Sequence, residues 1–168
     1  MLFRSILDAC PGARRVPVNA DGVIDLEALE TQMSEMNAPQ LVALMLANNE
    51  TGVIQPVAAA AEIAHRHGAL LHCDAVQAVG KIPVDFNALG ADTMAITGHK
   101  FGGPQGIGAL IMRTPDIVEC LMRGGGQESG LRGGTESVAH ITALGVAAKI
   151  ALMCMDEYTA LGDLRDRM

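Results

Sequence analysis

With 168 residues the chain fits one domain, long enough for roughly 68–70% of the unfolded surface to be buried on folding. Apolar residues make up 49% of it, yet there are only three Phe, one Tyr and no Trp, so Ala, Leu, Ile, Val and ten Met must fill the core. A formal charge of −7 without a Lys/Arg-rich run argues against a nucleic-acid or anionic-membrane surface and points to small-molecule chemistry.

The opening "MLFRSILDAC" lacks the apolar core and small-residue cleavage site of a secretory signal, and no run reaches the roughly 18 apolar residues of a membrane span. The stretch "ARRVPVNADGVIDLEALETQMSEM" reads as a short extended piece and a turn at Asn19 to Gly22. A helix then begins near Asp25, a plausible N-cap, with Leu26, Leu29 and Met33 on one face. The continuous apolar run "LVALMLA", bounded by "NNETG", reads as a buried strand. "VAAAAEIAHRHG" is a helix with Gly68 where a C-terminal cap belongs.

"ALLHC" makes the next strand, ending at Asp74, and a second helical stretch is expected around Ala75 to Gly80. "DTMAIT" makes a third strand ending just before His99 and Lys100. "GIGALIMR" makes a fourth, after a glycine-rich link short enough for an antiparallel neighbour. "TESVAHITALGVAAKIALMCMDEYTALGDLRDRM" reads as one long helix. The fold expected is α/β, a mostly parallel sheet with helices on both faces. Cys10, Cys73, Cys120 and Cys154 show no CxxC spacing and read as reduced, core-type thiols of a cytoplasmic protein, not as disulfides or metal ligands.

Polar residues fall at strand C-termini: Asn48 and Asn49, Asp74 and Gln77, His99 and Lys100. In open α/β sheets ligands bind at that edge. Lys100 reads either as a surface lysine or as an amine poised for a Schiff base at a rigid strand end. Asp74 reads either as a helix cap or as the carboxylate that keeps a pyridine nitrogen protonated. The pair suggests pyridoxal 5'-phosphate (PLP).

Thr97 and His99 supply donors for a phosphate or ring oxygen, with a backbone-satisfied core histidine as the plain alternative. Gln77 lies about one helical turn beyond Asp74, within reach of a ring hydroxyl. "RGGGQESGLRGGTES" is either a flexible linker or an ordered loop whose amides, Thr135 and Arg132 meet an anion. "GGPQGIG" is no dinucleotide fingerprint, because a strand follows it.

The segments "NNETGVIQPV", "HCDAVQAVGKIPVDF", "ADTMAITGHKFGGPQGIGAL" and "GGGQESGLRGGTESV" together resemble the class V aminotransferases of fold-type I. Within them they resemble the cysteine desulfurases of the NifS/IscS type, over roughly residues 5 to 150. The resemblance implies that Lys100 forms the Schiff base with PLP, Asp74 pairs with the pyridine nitrogen and Gln77 hydrogen-bonds the ring hydroxyl. It implies that Thr97 and His99 bind the phosphate, that Asn49 lies on the ring and substrate side, and that Thr135 donates to the phosphate of a neighbouring subunit in a homodimer. The activity implied is conversion of L-cysteine to L-alanine, with sulfur passed as a persulfide to an acceptor or iron–sulfur scaffold protein.

The resemblance also implies departures. Residues 1–136 correspond to part of the PLP-binding large domain, and residues 137–168 to a helix leading toward a C-terminal small domain. The family's upstream phosphate turn, sulfur-accepting cysteine loop and carboxylate-binding arginine have no match here, and its ring-stacking histidine aligns near Phe3. The expectation is therefore a chain inactive by itself, with exposed apolar surface and a tendency to associate. A selenocysteine lyase, a small amino-acid aminotransferase and a catalytically silent dimerising module are the alternatives.

Overall fold

Asp25 opens the first helix, α1 (Leu26–Glu35), by accepting the Ala28 amide on Oδ1 at 2.9 Å, as the sequence predicts. The computed structural model describes residue 10, residues 12–38 and residues 41–167; Phe3 lies outside them. Leu29 and Met33 are the buried stripe of α1, with Leu26 packed beside them. Ahead of α1, the Asn19 side chain accepts the Asp21 and Val23 amides and closes the expected turn.

Strand β1 (Leu41–Met45) leads into a turn built by Asn48 and then into helix α2 (Val57–Arg66). Small apolar residues let α2 sit close to the sheet: Val57, Ala60, Ala61, Ile63 and Ala64 are all buried. Its end is a Schellman motif, with Ala69 N bonded to Ala64 O at 2.9 Å and Gly68 N to His65 O at 3.0 Å. Gly68 has φ +73°, a conformation in which a Cβ would be strained, so the glycine stands where the cap requires it.

Strands β2 (Leu70–Asp74), β3 (Thr93–Thr97) and β4 (Gly108–Met112) complete a four-stranded sheet of order β1-β2-β3-β4. β1, β2 and β3 are parallel, and β4 runs antiparallel to β3, which the short glycine-rich link allows. Leu71 and Cys73, fully enclosed, point toward the α2 side, while His72 and Asp74 alternate to the other face. Among the described residues the helices gather on the Leu71 side. The opposite face carries a shallow groove of about 380 Å³ lined by Leu41, Leu70, His72, Thr93, Leu110 and the Ile117–Val118 segment. β1 is an edge strand in this sheet, and Leu41 is 57% exposed.

Three expectations are corrected. Residues 75–80 form successive turns, not a helix: Gly80, at φ +78°, reverses the chain before a regular helix can extend. The long C-terminal pattern is two helices, α3 (Val138–Met153) and α4 (Met155–Arg165), bent by 64° about Cys154. Of the four cysteines only Cys73 is a core thiol; Cys10 is exposed, and Cys120 and Cys154 are half-buried. The glycine-rich sequence after Cys120 leaves little to bury its side chain. Among the described residues no single helix is long and apolar enough to cross a membrane.

Candidate cofactor site

The register of the parallel strands sets the site. Met45, Asp74 and Ala95 lie in one row across β1, β2 and β3. Beyond that row the ladder is prolonged by Leu46 N to Asp74 O at 2.8 Å and by Ala75 N to Ala95 O at 3.0 Å. Asp74, Ala95 and Thr97 share a face, so the three loops carrying the candidate residues leave the sheet on the same edge.

Lys100 is held by a tight turn. Gly98, His99 and Lys100 form a single 3-10 turn, and Phe101 N and Gly103 N both donate to Gly98 O, at 3.1 and 2.8 Å. The Gly98 amide in turn donates to Ile107 O at 2.9 Å, pinning the turn to the start of β4. A Cβ on Gly103 would come within 3.0 Å of the Gly98 carbonyl oxygen, and one on Gly80 within 2.7 Å of Phe101 Cβ. The glycines beside Lys100 thus let two chain segments approach where side chains would separate them. Lys100 itself is half-buried and makes no hydrogen bond or ion pair among the described residues.

Asp74 Oδ1 accepts the Val76 amide at 3.0 Å, and its other oxygen has no such partner among the described residues. Both sequence readings of Asp74 are thereby compatible, since capping the following turn uses only one oxygen. Gln77 accepts a 2.6 Å hydrogen bond on Oε1 from Lys81 Nζ. Thr97 Oγ1 lies 3.1 Å from His99 Nδ1 and donates to Ile107 O at 3.3 Å. His99 is exposed, so its second ring nitrogen is accessible to an anion.

Burial and the nearby Asp74 charge push the Cys73 thiol up to about 12, which makes it a poor nucleophile. Burial lowers the pKa of His72, although Asp74 pulls in the opposite direction. Lys81 is likewise lowered, by burial first and by the positive charge of Lys100 second.

The structure therefore gathers Asp74, Gln77, Thr97, His99 and Lys100 at one edge. Asn48 builds the neighbouring turn by accepting the Glu50 and Thr51 amides, both at 2.9 Å, and leaves Asn49 exposed. Thr135 and Arg132 are exposed in the glycine loop, and no hydrogen bond among the described residues joins Thr135 to the other candidates. That loop is ordered at its neck, where Gly133 N donates to Met122 O at 2.7 Å and Gly124 packs on Gly133. Lys81 is the residue that sequence reasoning passed over, although its i, i+4 spacing from Gln77 was visible.

The chain is similar to known proteins in sequence and in fold. A cysteine desulfurase of Cereibacter sphaeroides is 47% identical over 154 residues, which are 92% of this chain and 39% of that protein. A solved NifS-like protein superposes with a TM-score of 0.84 at 38% identity, covering 93% of this chain and 43% of its own. The structure of SspA in complex with cysteine superposes with a TM-score of 0.78 at 34% identity, over 86% of this chain and 44% of that one. The chain thus spans about two-fifths of the length of the relatives it matches. The Aminotransferase class-V model matches residues 11–160, and the chain belongs to that family.

Proposed function

We propose that this chain forms the cofactor-gripping part of a PLP-dependent cysteine desulfurase, in which L-cysteine and an acceptor thiol give L-alanine and an acceptor persulfide. The observation that carries the reading is the half-buried Lys100, without a hydrogen bond or ion pair among the described residues, on a glycine-tightened turn at the edge that also presents Asp74. Family membership supports it, since class V aminotransferases depend on PLP in general. The kinship to cysteine desulfurases and the likeness to a cysteine-bound structure support the substrate.

The donor set fits PLP. Lys100 offers a primary amine, Asp74 a carboxylate oxygen not used by the fold, and Gln77 an amide. With Thr97 Oγ1 donating to Ile107 O, His99 Nδ1–H donates to Thr97 Oγ1, and Nε2 faces an anion as a donor when the ring carries both protons. When bound, PLP supplies an electron sink that stabilises negative charge on the substrate α-carbon.

In this reading Lys100 holds the cofactor covalently, Asp74 keeps its ring nitrogen protonated, and Gln77 meets the ring oxygen. Thr97 and His99 hold the phosphate, His99 also moves a proton near the reacting carbon, Asn49 borders the substrate, and Thr135 reaches the site of a second copy. Cys73, enclosed in the core, is not the sulfur acceptor.

The test is to add PLP, reduce with borohydride and locate the pyridoxyl group by peptide mass spectrometry, with Lys100→Ala as control. An adduct confined to Lys100 is the expected result. Scattered labelling, or none, overturns the reading.

A further inference from the structure

Lys81 has no part in the roles assigned above, yet it is built into the site. Its Nζ sits 2.6 Å from Gln77 Oε1. An ammonium has three N–H donors and no acceptor, so the atom of Gln77 facing it must be the amide oxygen. The Gln77 NH2 then points elsewhere as a donor.

The backbone makes this contact without a regular helix. Ala78 N donates to Ala75 O, and Lys81 N donates to Ala78 O, both at 3.0 Å; Gly80, at φ +78°, turns the chain so that Lys81 returns over Gln77. Phe101 packs directly against Gly80, which brings the residue after Gly80 to the side of the residue before Phe101. Lys81 accordingly senses the charge of Lys100. Neither lysine has an ion pair among the described residues, and the carboxylate at the same sheet edge is that of Asp74, one oxygen of which is taken by the Val76 amide.

We propose that Lys81 is a positioning residue that locks the Gln77 amide with its oxygen inward, so that Gln77 offers a bound ligand only N–H and the site selects a ligand oxygen able to accept, best an anionic one. The inference rests on the cofactor reading to the extent that Gln77 is a ligand contact. The lock itself is a property of the chain's own residues.

The test compares the chain with Lys81→Met, which removes charge and donors, and Lys81→Arg, which keeps both. With PLP bound, the pH midpoint of its visible absorption is followed. Loss of a nearby positive charge and of a fixed donor both make the ligand hold its proton more tightly, so Lys81→Met raises the midpoint by about one unit and Lys81→Arg restores it. An unchanged midpoint in Lys81→Met, or no rescue by Arg at equal folding stability, overturns the proposal.

A second measurement needs no PLP. With the glutamine side chains labelled with 15N and lysine Cε with 13C, the Gln77 amide resonance should move as Lys81 titrates, and the Lys81 midpoint should rise in Lys100→Met. If no adduct forms at Lys100, the cofactor reading fails and this measurement decides the lock alone. A Gln77 resonance indifferent to Lys81 overturns it.

Discussion

Asp92 Oδ2 lies 2.8 Å from His65 Nε2 and accepts the Leu71 amide at 2.7 Å, so one carboxylate oxygen ties the end of α2 to β2 and to the entry of β3. Asp92 is only 7% exposed, and its removal strands a buried amide. Asp92→Ala should therefore destabilise the fold by about 2–4 kcal/mol in urea unfolding. His65, whose side chain is 43% exposed, can turn to water, and His65→Ala should cost about 1 kcal/mol. Equal losses in the two variants would show that Asp92 acts through His65 and not through Leu71.

Gly80 couples stability to the site. Its positive φ and the 2.7 Å approach of Phe101 Cβ leave no room for a methyl group. Gly80→Ala should lower stability by about 1–3 kcal/mol and reduce the yield of the pyridoxyl adduct at Lys100, because Phe101 must move. Gly52 also has positive φ but meets nothing within 4 Å, so Gly52→Ala, with the backbone strain alone, is the control.

Stability should fall as the solution is acidified below the ordinary histidine range. Burial lowers the pKa of His72 beneath the ordinary histidine value of 6.5, so the unfolded state takes up a proton at a higher pH than the folded state. Stability is therefore full above the unfolded pKa and declines as pH drops from there toward the folded value. His72→Gln should flatten this slope in urea midpoints taken between about pH 7.5 and 5. Glu30 acts in a separate window: hydrogen bonds from His67 and Arg66 lower it, so its contribution is lost only below about the ordinary glutamate value of 4.5. A slope unchanged in His72→Gln would assign the effect to another group.

The α3 helix should drive self-association. It is apolar on every side, yet only Ala147 is buried, and Val138, Ile150, Leu152 and Met153 are each more than half exposed. Light scattering after size exclusion should show dimers or larger species. Ile150→Glu combined with Met153→Glu should raise the monomer fraction several-fold. A monodisperse monomer in the unsubstituted chain would refute this.

The sheet was legible because each strand is a short apolar run stopped by polar or glycine residues, and the caps at Asp25 and Gly68 are local chemistry. The meeting of Asp74 and Lys100 at one edge was legible as well, since parallel strands put their C-terminal ends together. What escaped sequence reading depends on contacts made after the chain turns. Gly80, at φ +78°, stops the turns after Asp74 from propagating as a helix. Lys81 looks like any loop lysine until Gly80 folds it back on Gln77.

The alternation of β2 makes its pairing a checkpoint. His72 and Asp74 share one face and Cys73 the other, with Leu44 and Met94 beside Cys73 in register. A slip of one residue would drive a carboxylate under α2 and present an almost unreactive thiol to the ligand edge. Misregistered molecules would thus be unstable and would lack the carboxylate at the ligand edge at once, so a strand aligned for the core is also aligned for the edge.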